Sequence, residues 1–153
     1  MMKLCCDVLT ALRGRTLVTA ESCTGGGIGA ALTAVPGSSE VYKGGIICYT
    51  NWVKQHILNV DGGLLDTLGA VSGPVAAAMA EGARQALQAD IAVSVTGLAG
   101  PGGDEFGHAV GTVFIGYCDA RGSFSEEFHF EGDREAVRSV SIREALQIVL
   151  KQN

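Results

Sequence analysis

Apolar and polar positions along the 153-residue chain fall into alternating helical and extended patterns. From Met2 to Leu12 apolar residues recur at helical spacing, and Arg13-Gly14 closes the segment. Thr16 to Ala20 is a short apolar run, which predicts a buried strand. Thr24 to Ala34 predicts a helix of small residues that ends before Val35-Pro36-Gly37-Ser38-Ser39. Lys43 to Tyr49 predicts a second strand, and Asn51 to Leu58 a short helix with Asn51 as its cap. Ser72-Gly73-Pro74 carries the start signals of a long helix running to Leu87. Ile91 to Thr96 is an apolar strand leading into the loop Gly97 to Asp104. Ala109 to Cys118 and Ser123 to Phe130 alternate like paired strands around the turn Asp119-Ala120-Arg121-Gly122. A last helix runs from Asp133 or Arg134 to Leu150. Helices alternating with strands, plus one hairpin, predict an α/β fold: a single domain over residues 1–153, built as a three-layer α/β/α sandwich around a mixed sheet.

Composition narrows the function classes. Apolar residues make up 47% of the chain and mean hydropathy is +0.28. No run approaches the roughly 20 apolar residues of a membrane-spanning helix. The surplus comes from Ala, Val and Gly, which suits a small-residue α/β interior. Net charge is −5 and Lys and Arg are scattered, which argues against nucleic acid or an anionic membrane surface as partner. The opening Met1-Met2-Lys3-Leu4-Cys5-Cys6-Asp7 lacks a signal-peptide cleavage pattern. Cys5, Cys6, Cys23, Cys48 and Cys118 form an odd set without CxxC or Cys/His ligand spacing, which predicts reduced thiols, no structural zinc and a cytoplasmic setting. With only 18% charged residues to cover its surface, the chain is expected to place apolar area in a homodimer or larger homo-oligomer.

The densest chemistry lies where the first strand ends, in Ala20-Glu21-Ser22-Cys23-Thr24-Gly25-Gly26-Gly27. A helix opening here would aim unpaired backbone N–H groups and its positive dipole end at whatever sits above the strand. Three loops, 21–27, 36–54 and 96–104, are polar or glycine-rich around strand ends, where sites gather in open α/β sheets. Together they predict one site, although each glycine by itself also suits a tight turn. GxGxxG and GK[ST] are absent, which argues against a nucleoside triphosphate. GxSxG is absent too, and His56, His108 and His129 stand beside no nucleophile, so neither a Ser-His-Asp triad nor a metal set is supported. Serine or cysteine nucleophiles and Lys54 remain. A lysine of lowered pKa can serve as base for serine, and Tyr49 and Trp52 would limit the hydration of Lys54; a solvated surface lysine is the other reading. Cys23 reads either as a helix-terminal thiolate or as a small buried side chain.

The motifs Ala20-Glu21-Ser22-Cys23-Thr24-Gly25-Gly26, Pro36-Gly37-Ser38-Ser39, Tyr49-Thr50-Asn51 with Lys54, Gly69-Ala70-Val71-Ser72, Val95-Thr96-Gly97-Leu98-Ala99-Gly100-Pro101-Gly102-Gly103 and Val110-Gly111-Thr112-Val113 follow one another in order. In these motifs, from about Thr16 to the closing helix, the chain resembles the CinA C-terminal domain family, the PncC-type nicotinamide-nucleotide amidohydrolases. That resemblance implies hydrolysis of the carboxamide of nicotinamide mononucleotide, giving nicotinate mononucleotide and ammonia in pyridine nucleotide recycling, with no metal and no organic cofactor. It implies Ser39 as nucleophile and Lys54 as its base, with Tyr49 and Thr96 in the catalytic set. Ser22, Thr24, Gly25, Gly26, Asn51, Gly97, Gly100 and Arg134 are implied as substrate-binding residues, with Arg134 facing a phosphate or carboxylate. Fifteen residues separate Ser39 from Lys54, so the strand between them is expected to bring loop and helix together. Backbone N–H groups near 23–26 or 97–103 would hold the oxyanion or the phosphate. The chain departs from many relatives in having His108-Ala109 where they have Lys-Pro. A catalytically silent paralogue that binds a nucleotide, or acts as an interaction domain, is the alternative; Ser39, Tyr49 and Lys54 favour the enzyme, since a silent binder has little need of a nucleophile and base.

Overall fold

Each central strand has two apolar faces, and that decides the architecture of the computed structural model, which describes residues 1–153. In chain order the elements are α1 (Met2–Ala11), β1 (Leu17–Glu21), α2 (Gly27–Thr33), a single 3-10 turn (Ser38–Glu40), β2 (Tyr42–Ile47), α3 (Asn51–His56), α4 (Gly62–Leu68), α5 (Gly73–Ala86), β3 (Ile91–Gly97), β4 (Thr112–Asp119), β5 (Gly122–His129) and α6 (Arg134–Gln152). The five strands form one sheet in the order β2-β1-β3-β4-β5. β2, β1 and β3 run parallel, whereas β4 and β5 are added antiparallel as a hairpin. Every residue of β1 is buried, as are the first six of β3, because helices cover both faces of a sheet interior.

The period of two along a strand sorts side chains between the layers. Leu17 of β1 and Ile91, Val93 and Val95 of β3 pack with Val8 of α1, Ile28 of α2 and Leu146 of α6. Val18, Ala20 and Ala92 point the other way, onto Val75, Met79 and Ala83 of α5 and Leu65 of α4. The expected three-layer sandwich is therefore present, with α1, α2 and α6 on one face and α3, α4 and α5 on the other. No helix is long and apolar enough to cross a membrane.

Several elements differ from the sequence reading for local reasons. α2 begins at Gly27 instead of Thr24, because Gly25 (φ 60°) and Gly26 (φ 97°) take left-handed backbone and make residues 22–26 a turn. Thr50, not Asn51, caps α3: its hydroxyl faces the Val53 N–H, and Asn51 is the first helical residue. Ser72 precedes α5 as expected, but its hydroxyl donates to Gly69 O and caps nothing. α4 goes unpredicted because Gly62-Gly63 reads as a turn; the Asp61 carboxylate, accepting from the Gly63 N–H at 2.8 Å, starts it.

Glycine lets α5 lie close to its neighbours. A Cβ at Gly82 would overlap the Leu58 carbonyl, and one at Gly116 of β4 would overlap the Ala76 carbonyl. At an exposed helical position Gly→Ala stabilises by about 1 kcal/mol. Here we expect Gly82→Ala to destabilise by about 1–3 kcal/mol through overpacking, read from the urea unfolding midpoint; a stabilised variant would show that α5 does not touch the Leu58 backbone.

Candidate active site

The parallel strands β2, β1 and β3 end together, with Glu21 opposite Ile47 on one side and Val95 on the other. Alternation then splits two adjacent residues of the first motif between the two layers. Glu21 falls on the α2 side and Ser22 on the α3 side, next to Thr96, which follows Val95 on β3.

On the α2 side the Glu21 carboxylate is 2% exposed and fully engaged. It accepts from the Thr24 hydroxyl at 2.7 Å, from the N–H groups of Gly26 and Ile28 at 3.1 and 3.0 Å, and from the Gly29 N–H at 2.9 Å. The amides at the start of α2 are thus satisfied by this chain's own carboxylate, and they face no ligand. Thr24, Gly25 and Gly26, expected to bind substrate, instead build the turn: Thr24 is wholly buried on Glu21, and Gly25 faces the Arg138 guanidinium.

On the α3 side lies a cavity of about 320 Å³ whose walls include Ser22, Cys23, Tyr49, Asn51, Lys54, Thr96, Gly97, Gly100 and Arg134. Its floor is Lys54, only 1% exposed, whose Nζ stands 3.0 Å from Ser22 Oγ and donates to Cys48 O at 2.7 Å. Burial lowers the Lys54 pKa from its ordinary 10.5, since no carboxylate stands by to repay the loss of water. The two neighbouring thiols would oppose that shift only as thiolates, and burial pushes both Cys23 and Cys48 up to about 11. At neutral pH they are uncharged. Cys23 is therefore a packed thiol, the second of its two sequence readings.

Thr96 donates its hydroxyl to Ala70 O at 2.8 Å, which ties β3 to the cavity wall ahead of α5. Arg134, the first residue of α6 behind its Asp133 cap, reaches across the mouth to Gly100 O at 2.7 Å and the Tyr49 hydroxyl at 3.1 Å. In the loop 97–103 the Leu98 N–H is engaged by Thr112 O, while those of Ala99 and Gly100 bond nothing within the chain. His108 lies outside this cavity: its ring meets Asp104 at 2.7 Å and Phe114 edge-on, and so braces the loop. An adjoining hollow shares Asn51, Ala70, Val71 and Leu98, and is walled by Asp104, Glu105 and Phe106. Nowhere do three or more His, Cys, Asp or Glu side chains stand together that could hold a metal ion.

Ser39 is not in this site. It is exposed on the 3-10 turn that enters β2, whereas Lys54 lies beyond the strand's exit. A strand holds its two ends apart, and six residues at about 3.3 Å each separate them by roughly 20 Å. The expectation that β2 would bring Ser39 to Lys54 is corrected: loops 21–27, 48–54 and 96–104 converge, and loop 36–41 sits at the opposite rim. The hydroxyl that Lys54 meets belongs to Ser22. Arg138 was not visible in the sequence at all; from α6 it donates Nε to Cys23 O at 3.1 Å and Nη2 to Thr24 O at 3.2 Å.

Comparison with known proteins places this geometry. A family model described as CinA C-terminal domain matches residues 2–152. A CinA-like protein of Parasynechococcus marenigrum (strain WH8102) is 52% identical over 135 residues, 87% of this chain and 32% of that protein. One from Geobacter metallireducens is 48% identical over 128 residues, 84% of this chain and 31% of that protein. The chain thus spans about a third of the length of the curated relatives it matches. Among solved structures, the competence damage-inducible protein A of Klebsiella pneumoniae superposes with a TM-score of 0.96 at 35% identity, covering 99% of this chain and 95% of that one. The competence/damage inducible protein CihA of Agrobacterium tumefaciens gives 0.94 at 38% identity, covering 98% and 93%.

A buried lysine without an anionic partner costs stability at neutral pH. The folded state holds its proton less tightly than the unfolded chain, so the cost is largest below the lowered pKa and vanishes as pH rises past 10.5. Lys54→Met is expected to stabilise the protein by about 1–2 kcal/mol at pH 7, with the gain shrinking toward pH 10.5. Urea unfolding at both pH values checks this; destabilisation at pH 7 would mean that the lysine is charged and well paired.

Proposed function

The chain belongs to the CinA C-terminal domain family, and we propose that it hydrolyses the carboxamide of nicotinamide mononucleotide, with Ser22 as nucleophile and Lys54 as its base. The observation that carries this reading is the 3.0 Å approach of a buried lysine to a serine hydroxyl on the wall of a cavity. Neutral Lys54 Nζ takes the proton from Ser22 Oγ as the oxygen attacks the carboxamide carbon. The C=O bond opens to a tetrahedral oxyanion. Lys54 then returns the proton to the amide nitrogen, the C–N bond breaks and ammonia leaves. Water, deprotonated by Lys54, adds to the Ser22 ester; the Ser22–acyl bond breaks as Lys54 hands that proton to Ser22 Oγ, and nicotinate mononucleotide is released.

Oxyanion stabilisation requires donors that are not already engaged. The amides of residues 26, 28 and 29 are excluded by Glu21, whereas the Cys23 N–H, next to the nucleophile on the cavity wall, donates to no acceptor in the chain. We assign the oxyanion to Cys23 N–H and loop 97–103. The anionic end of the substrate is assigned to Arg134, because the adjoining hollow presents Asp104 and Glu105 and would repel a phosphate. Tyr49 and Gly100 hold the guanidinium in place, and Thr96 fixes the wall opposite.

Ammonia and nicotinate mononucleotide released from nicotinamide mononucleotide test the proposal. Ser22→Ala and Lys54→Ala are each expected to lower kcat by about 1,000-fold or more, with the double variant hardly worse, as for residues acting as one unit. Ser39→Ala is expected to keep most of the activity. An active Ser22→Ala beside an inactive Ser39→Ala would overturn the assignment, and a wild-type protein without turnover would overturn the substrate. Arg134→Ala should weaken binding of the mononucleotide far more than that of the dephosphorylated nucleoside; equal losses would remove the phosphate role.

A further inference from the structure

The turn that carries Ser22 is held from two sides, and only one of them lies on its own strand. Glu21 takes the N–H groups that follow the turn. The carbonyls within it are taken separately: Ser22 O accepts the Gly25 N–H at 3.1 Å, Cys23 O accepts Arg138 Nε alone, and Thr24 O accepts both the Gly27 N–H at 3.1 Å and Arg138 Nη2. Arg138 is only partly exposed and makes no ion pair with any carboxylate. Its charge is directed to two consecutive carbonyls lying more than a hundred residues earlier in the chain. A planar guanidinium donating through two nitrogens fixes orientation as well as distance.

We propose that Arg138 is a positioning residue for Ser22: it holds the Cys23 and Thr24 carbonyls toward α6 and so fixes the turn from which the Ser22 hydroxyl meets Lys54. The inference rests on Ser22 as nucleophile and not on the identity of the substrate. Two features of the arrangement support a role beyond fold stability. The gripped carbonyls belong to the two residues directly after the nucleophile, whose Cys23 N–H is left without an acceptor in the chain. The guanidinium also brings a positive charge close enough to Cys23 to favour its thiolate form, against the larger effect of burial.

The test measures two reactions in wild type, Arg138→Ala and Arg138→Lys: turnover of nicotinamide mononucleotide, and the rate at which phenylmethanesulfonyl fluoride sulfonylates Ser22. Displacement of a nucleophile by about 1 Å can cost on the order of 100-fold. We expect Arg138→Ala to lower both kcat and the sulfonylation rate about 10- to 100-fold, with KM changed less than about threefold. Arg138→Lys should recover part of each loss, because one ammonium can reach one carbonyl, and added guanidinium ion should partly rescue Arg138→Ala. If Arg138→Ala does not fold, the Lys variant decides by the same two rates. Wild-type sulfonylation and turnover in the arginine variants, or a loss confined to KM, would overturn the inference. A wild-type protein that is sulfonylated at Ser22 but does not hydrolyse the nucleotide would overturn the substrate and leave Arg138 to be judged on sulfonylation alone.

Discussion

At the carboxyl end of β1, the Glu21 carboxylate takes one hydroxyl and three backbone N–H groups, all within 3.1 Å. An anion buried to this degree is tolerable only when such donors surround it, and the start of a helix supplies them together with its dipole. The consequence reaches the next residue. With Glu21 fixed on the α2 side, strand alternation leaves Ser22 only the opposite side, where Thr96 and Lys54 stand. The same bonds force the chain through the left-handed Gly25 and Gly26 before α2 can begin. A substitution at Glu21 would therefore disturb the site without touching the cavity.

Glu21 and Lys54 are both buried, yet the sheet separates them and they make no pair. Each is accommodated differently. The carboxylate is surrounded by hydrogen-bond donors, whereas the lysine, deprived of water and facing a carbonyl and a hydroxyl, is driven toward the neutral amine. This second arrangement is poor for stability and suited to a base acting on serine. On the proposed mechanism, the protein tolerates a loss of stability where an uncharged nitrogen is required.

The architecture was legible in the sequence because it rests on periodicity: helical spacing in α1 and α5, mostly apolar runs in β1 and β3, and alternation in β4 and β5. The location of the site was legible too, since polar and glycine-rich segments follow the ends of parallel strands. The pairing within it was not. Sequence distance places Ser39 fifteen residues from Lys54 and Ser22 thirty-two away, but a rigid strand lies between the nearer pair and a lateral step between neighbouring strands joins the farther one. Arg138 escaped for a related reason: on a helix face mixing charged and apolar residues, nothing local marks which arginine turns inward. Thr24, Gly25 and Gly26 carry the site's motif but serve its scaffold, which composition alone does not distinguish from ligand contact.

On the proposed mechanism, Ser22 Oγ carries the acyl group between the two half-reactions. Acid quenching of the protein within the first turnover on nicotinamide mononucleotide, followed by digestion and mass spectrometry, tests it directly. Cleavage after Arg15 and Lys43 gives one peptide, Thr16 to Lys43, that contains Ser22, Cys23, Ser38 and Ser39 together, so fragment ions must locate the added mass. The acyl-nucleotide is expected on Ser22 and is expected to be absent from the Lys54→Ala protein. The same mass on Ser39 or Cys23, with Ser22 unmodified, would contradict it.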